Sequence, residues 1–146
     1  MGAILGLSPY RTPVDVWMVK TGRAAPKEIS LPMRFGIFAE EFVAQEYCAQ
    51  TGHAVQRYTA MLHHPEAPIL GNVDRLEIPS GEKIAAHKKE IRTDRLLECK
   101  TANAFAAFKA EEWGEAGTDQ VPMAYLVQCA TYRLLTGCRF ADLVVL

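Results

Sequence analysis

The sequence predicts a mixed α/β domain, a central mixed β-sheet flanked by helices, in the rough order α-α-β-β-β-α-β. Three observations predict it. Residues 34–51 repeat apolar side chains at spacings of three and four and stop at Gly52, as an amphipathic helix does. Residues 95–102 and 140–146 are apolar runs of strand length. Between those runs another helical pattern opens near Pro122 and stops at Gly137.

Each element follows in chain order. Pro13 starts a short helix that Gly22 closes. Residues 23–33, with Pro26 and Pro32, are expected to form a loop before the helix at 34–51. Residues 54–62 alternate loosely and read as a strand, and 67–79 read as a second, running through Gly71 to Asp74. The polar, basic stretch 80–94 reads as a hairpin extension or loop. The strand 95–102 follows, then a short helix or helical turn at 105–114, the last helix, and the strand 140–146. No internal repeat or low-complexity segment interrupts them.

At 146 residues the chain is one domain with enough length to bury a core. Its apolar share of 49% and charged share of 23% fit a soluble globular protein. No apolar run approaches the roughly 18 residues of a membrane span, and no signal peptide is evident. A net charge of −1 announces no nucleic-acid partner, although a local basic groove is compatible with it. Cys48, Cys99, Cys129 and Cys138 form no CxxC pair. They read as reduced thiols of a cytoplasmic protein, and argue against disulfides, zinc or an iron–sulfur cluster.

The chemistry concentrates in "RLLECKTAN", residues 95–103. On a strand Glu98 and Lys100 share one face, and Leu97 and Cys99 the other. An exposed ion pair would explain the charges and contribute little. Other polar residues also stand where core residues are expected: Glu40 beside the stripe of the long helix, Asp74 inside "ILGNVDRLEI", and Gln128 between Tyr125 and Tyr132 on one helix face. Buried carboxylates without partners are costly, and several together repel unless a cation balances them. Mg²⁺ takes oxygen ligands and keeps waters when few carboxylates bind it. Asp74, Glu98 and Glu40 could form such a pocket, with Lys100 near an attacking water. Metal-assisted phosphodiester hydrolysis uses such a set.

Beyond these residues, the chain resembles the YqaJ-type viral recombinase domain, in the lambda-exonuclease-like branch of the PD-(D/E)xK nucleases. "AILGLSPYRTP" resembles that family's opening signature and "GIFAEEFVAQEYCAQTG" its long helix. "GNVDRL" and "LLECKTAN" resemble its two site strands, and "WGEAGTDQVPMAYLVQCATYRLLTGCRFADLVVL" its closing helix and strand. The resemblance implies a restriction-endonuclease-like core and a Mg²⁺-dependent exonuclease, with Mn²⁺ as a substitute, resecting linear double-stranded DNA from 5′ to 3′. It implies Asp74, Glu98 and the Cys99 carbonyl as metal ligands, Glu40 as a further acid acting through water, Lys100 as the catalytic lysine, and Gln128 in support. It also implies DNA ends as substrate, a single-strand annealing protein as partner, and a homo-trimer.

Two departures accompany the resemblance. Met1-Gly2 stands where the family runs Gly-x-Ser-Asp, and the chain is expected to be truncated at both ends relative to the family. The basic segment 80–94 is longer than the family pattern and reads as a DNA-contacting arm. Ser8, Arg11, Lys88, Lys89 and Arg92 are the candidate DNA contacts; a capped turn for the first two and a solvated loop for the others are the simpler readings. His63 and His64 lack a third ligand at suitable spacing and read as surface residues. Trp17 and Trp113 read as packing residues, and Tyr47, Tyr125 and Tyr132 as core residues with a polar tip. The alternative function is a catalytically impaired DNA-end-binding module of the same fold. The iron–sulfur exonuclease branch does not suit the cysteine spacing.

Overall fold

Residues 2–78, 91, 93–101 and 112–146 are described by the computed structural model. Helix α1 (Pro13–Lys20) starts as the sequence predicts, because Thr12 and Asp15 form a capping box ahead of it. The Asp15 N–H donates to Thr12 Oγ1 at 3.2 Å, and the Thr12 N–H donates to Asp15 Oδ2 at 2.7 Å.

Helix α2 (Leu31–Thr51) begins earlier than the expected residue 34. Pro32 is the reason: it occupies the first turn, where its missing N–H has no intrahelical acceptor to lose, and so extends the helix rather than the loop. Gly52, at φ 75°, ends it in the left-handed conformation, with its N–H on Cys48 O at 2.9 Å.

The two middle strands of the expected order each divide. Residues 54–62 give β1 (Val55–Arg57) and β2 (Leu62–His63); residues 67–79 give β3 (Leu70–Gly71) and β4 (Arg75–Glu77). Then follow β5 (Arg95–Lys100), α3 (Met123–Thr136) and β6 (Phe140–Val145). The main sheet has the order β1-β4-β5-β6, antiparallel except for the parallel pair β5–β6. Strands β2 and β3 pair separately. They lie against α3, and a Cβ at Gly71 would stand 2.7 Å from Leu135 Cδ1 and 2.9 Å from Tyr132 Cε1. Glycine permits that approach, which breaks the expected continuous strands.

The alternation of β5 divides the core in two. Leu97 and Cys99 pack with Val43, Ala44 and Tyr47 of α2 on one face. Leu96 packs with Leu76, Val73 and Tyr58, and with Tyr132 of α3, on the other. Helices on both faces explain why β5 is nearly continuous in apolar character. At the start of β5, Arg95 and the Tyr47 hydroxyl both donate to Asp142, so Tyr47 is a core residue with a satisfied polar tip.

The expected arm at 80–94 and helix at 105–114 fall largely outside the described residues, and Lys88, Lys89 and Arg92 with them. Trp113 packs against Tyr125, with ring centroids 5.7 Å apart. Among the described residues, no helix is long and apolar enough to cross a membrane.

Candidate active site

Strand β5 carries Glu98 into the α3 face, where the residue is 1% exposed. Glu98 Oε1 accepts from Gln128 Nε2 of α3 at 2.6 Å and also from Lys100 Nζ, two residues along the same strand face. Gln128 Nε2 also donates to Tyr132 Oη at 3.1 Å, one helical turn on. Among the described residues, no donor reaches the buried Glu98 Oε2, and the Asp74 carboxylate lies beside Glu98. A carboxylate oxygen in that state is rare among folded proteins and calls for a cation or a proton.

Asp74 stands one residue ahead of β4. Pairing of Arg75 with Leu97 and Leu76 with Leu96 sets the register, which carried one step further puts Asp74 across from Glu98. The ladder stops there, because Asp74 Oδ2 takes the Cys99 N–H at 2.9 Å. On a strand a residue's N–H and C=O point to the same side, so the Cys99 carbonyl opens toward the same edge. The Cys99 side chain packs on the α2 face, with its thiol pushed up to about 12 by burial, so only its main chain addresses the site.

The electrostatics follow from burial. Desolvation, with the Asp74 carboxylate adding to it, pushes Glu98 up to about 7 against the pull of Lys100. Asp74 is raised by burial too, although the Cys99 N–H works the other way. Burial disfavours the Lys100 ammonium, but the attraction of Glu98 prevails and its pKa is raised.

Of the residues singled out in the sequence, Asp74, Glu98, Lys100 and Gln128 therefore converge. Glu40 engages differently. It stands on α2, which covers the opposite face, and its Oε1 accepts from Arg75 Nη1. Glu40 and Asp74 both line an open cleft of about 400 Å³, together with Arg57, Tyr58, Thr59 and Asn72. Ser8 Oγ accepts from the Tyr10 N–H at 3.2 Å, the capped-turn reading, and Arg11 directly precedes the Thr12 cap. His64 Nδ1 accepts from the N–H groups of Glu66 and Ala67, which closes a surface turn.

Arg75 escaped the sequence reading. Its residue exposure is 2%, and a guanidinium inside the short strand "DRLE" was the available signal. Tyr132 is a packing residue with a polar tip, as its sequence setting suggests, and that tip steadies Gln128.

Among the described residues, no group of three or more His, Cys, Asp or Glu side chains could hold a metal by itself. The donors that do converge are two carboxylates and a main-chain carbonyl edge. An all-oxygen set with few carboxylates suits Mg²⁺, which retains waters, and not Zn²⁺, which wants nitrogen or sulfur. The buried Glu98 Oε2, which no donor among the described residues reaches, fits such an ion.

A mixed sheet flanked by helices is the fold this chain shares with two solved alkaline exonuclease structures. The chain superposes on the crystal structure of the alkaline exonuclease LHK-Exo from Laribacter hongkongensis with a TM-score of 0.63, at 19% identity, over 97% of this chain and 65% of that one. The complex of LHK-Exo with dAMP gives 0.65, at 19% identity, over 99% and 65%. The chain belongs to the YqaJ-like viral recombinase family, whose domain model matches residues 1–139. It is 37% identical over 136 residues to the uncharacterized protein YqaJ of Bacillus subtilis (strain 168), covering 92% of this chain and 37% of that protein. It thus spans little more than a third of that relative's length.

Proposed function

We propose that this domain is a Mg²⁺-dependent deoxyribonuclease that hydrolyses phosphodiester bonds at the ends of linear double-stranded DNA. The observation that carries the reading is the state of Glu98: one oxygen fixed by Gln128 and Lys100, the other buried with no donor among the described residues, and the Asp74 carboxylate beside it. Asp74, Glu98 and the Cys99 carbonyl would hold the ion, with Mn²⁺ as a substitute, and Glu40 would contribute through water. Bound there, the ion would supply charge neutralisation at the phosphate and a more acidic water. Lys100 brings a cation to the same space, where it offsets charge developing on the phosphate and orients water by donation. Gln128 holds Glu98 in one rotamer, so that the site is arranged before substrate arrives.

Membership of the viral recombinase family supports the finer reading. That reading is 5′-to-3′ resection in phage-type recombination, as a homo-trimer handing its product to a single-strand annealing protein in the cytoplasm. The alternative reading is a DNA-end-binding module of the same fold with impaired catalysis.

Digestion of linear duplex DNA with 5′-phosphate or 5′-hydroxyl ends, in Mg²⁺ against EDTA and beside Lys100→Ala, tests both. Mononucleotide release that needs Mg²⁺ and Lys100 is the expected result. DNA-end binding without product would put the second reading in its place.

A further inference from the structure

Arg75 is buried in the sheet, and three acceptors hold its guanidinium. Nη1 donates to Asp74 O at 2.8 Å and to Glu40 Oε1, and Nη2 donates to Glu41 Oε2 at 2.9 Å. These bonds join α2 to the main chain at Asp74. The two acids come from adjacent positions of one helix, and the carbonyl belongs to the residue whose carboxylate takes the Cys99 N–H. A fork with several fixed donors can hold three acceptors in one plane; an ammonium cannot.

We infer that Arg75 is the positioning residue for Asp74: it transmits the placement of α2, through Glu40 and Glu41, to the main chain at Asp74 and so aims the Asp74 carboxylate. The inference rests on the nuclease reading only for its consequence in catalysis. Its geometric content stands on the four residues named and on Cys99. Glu40 then acts on the site through Arg75. Arg75 Nη1 donates to the Asp74 carbonyl and not to its carboxylate, so the link runs through the main chain.

Arg75→Lys, in the complete chain, separates positioning from folding. In metal-free protein, amide exchange followed by ¹⁵N NMR should accelerate at Cys99 by about tenfold, while Glu98, whose amide points to β6, keeps its rate. Calorimetric Ca²⁺ affinity should fall by roughly tenfold or more, the scale of losing a group that orients a ligand. On linear duplex DNA in Mg²⁺, kcat should fall by a similar factor with KM for DNA nearly unchanged. If Arg75→Lys does not fold, Glu40→Gln, which keeps the shape of the acceptor and loses its charge, should move the same three readouts in the same direction by less.

Unchanged exchange at Cys99 with unchanged Ca²⁺ affinity overturns the inference. So does acceleration of every β5 amide together, which would make Arg75 a general support of the sheet. A wild-type chain that cleaves nothing, while Cys99 exchange responds as stated, removes the nuclease reading and leaves the positioning role intact.

Discussion

Gln128 Nε2 donates at once to Glu98 Oε1, at 2.6 Å, and to Tyr132 Oη, at 3.1 Å, so one amide on α3 fixes the acid on β5 and is itself fixed one turn later. Gln128→Leu keeps the volume and removes both bonds. Single-turnover digestion of linear duplex DNA should slow by about ten- to a hundredfold, since groups that orient metal ligands carry effects of that size. A rate within threefold of wild type, or about that, would detach Gln128 from the site.

Stability should fall as pH rises through the range where Glu98 titrates. Its pKa in the folded protein lies at about 7, above the ordinary value of 4.5, so the folded state binds more protons than the unfolded state between those values. The stabilisation by neutral Glu98 is complete below pH 4.5 and is lost as pH rises to about 7. The loss is on the order of 3 kcal/mol for a group this buried. Urea unfolding in EDTA at pH 5 and pH 8 should show the decline in wild type and a much shallower one in Glu98→Gln. Parallel profiles would count against the buried acid.

A divalent ion should reverse that loss. At pH 8, Ca²⁺ at a hundred times its Kd should add about 2.7 kcal/mol to the unfolding free energy, and less at pH 5, where protons compete for Glu98 and Asp74. Thermal denaturation of wild type, Asp74→Asn and Glu98→Gln makes the comparison. An equal rise in Tm for all three would place the ion elsewhere.

Lys100→Met should separate ion binding from turnover. Lys100 donates to Glu98 and holds no metal in the proposed arrangement, so Ca²⁺ affinity should stay within about tenfold while cleavage falls by roughly 10²- to 10⁴-fold. Circular dichroism and calorimetry on the one variant read both. Cleavage that survives would return Lys100 to the role of an ordinary ion-pair partner.

Gly71→Ala probes packing at a distance from the acids. The new methyl would meet Leu135 at 2.7 Å and Tyr132 at 2.9 Å, and the strain should cost about 1–3 kcal/mol in urea unfolding. Movement of Tyr132 would loosen Gln128 and slow cleavage as well. Full stability in this variant would mean that β2 and β3 separate from α3 without penalty.

The sequence by itself determined what depends on near neighbours. The helix start at Pro13, the stops at Gly52 and Gly137, and the alternation that sets Glu98 and Lys100 on one face of β5 involve residues within a few positions of each other. Asp74 and Gln128 were legible as polar residues in apolar settings; carboxylate chemistry joined Asp74 to Glu98, and the family resemblance added Gln128. Tertiary structure alone decided the rest. It put α2 and α3 on opposite faces, so that Gln128 meets Glu98 while Glu40, on the other side, meets Arg75. It also broke the two middle strands where Gly71 lets β2 and β3 lie on α3. Which way a helix is rolled against a sheet is settled by the packing of both surfaces at once. Residues 35 positions apart, such as Glu40 and Arg75, carry no local signal of their meeting.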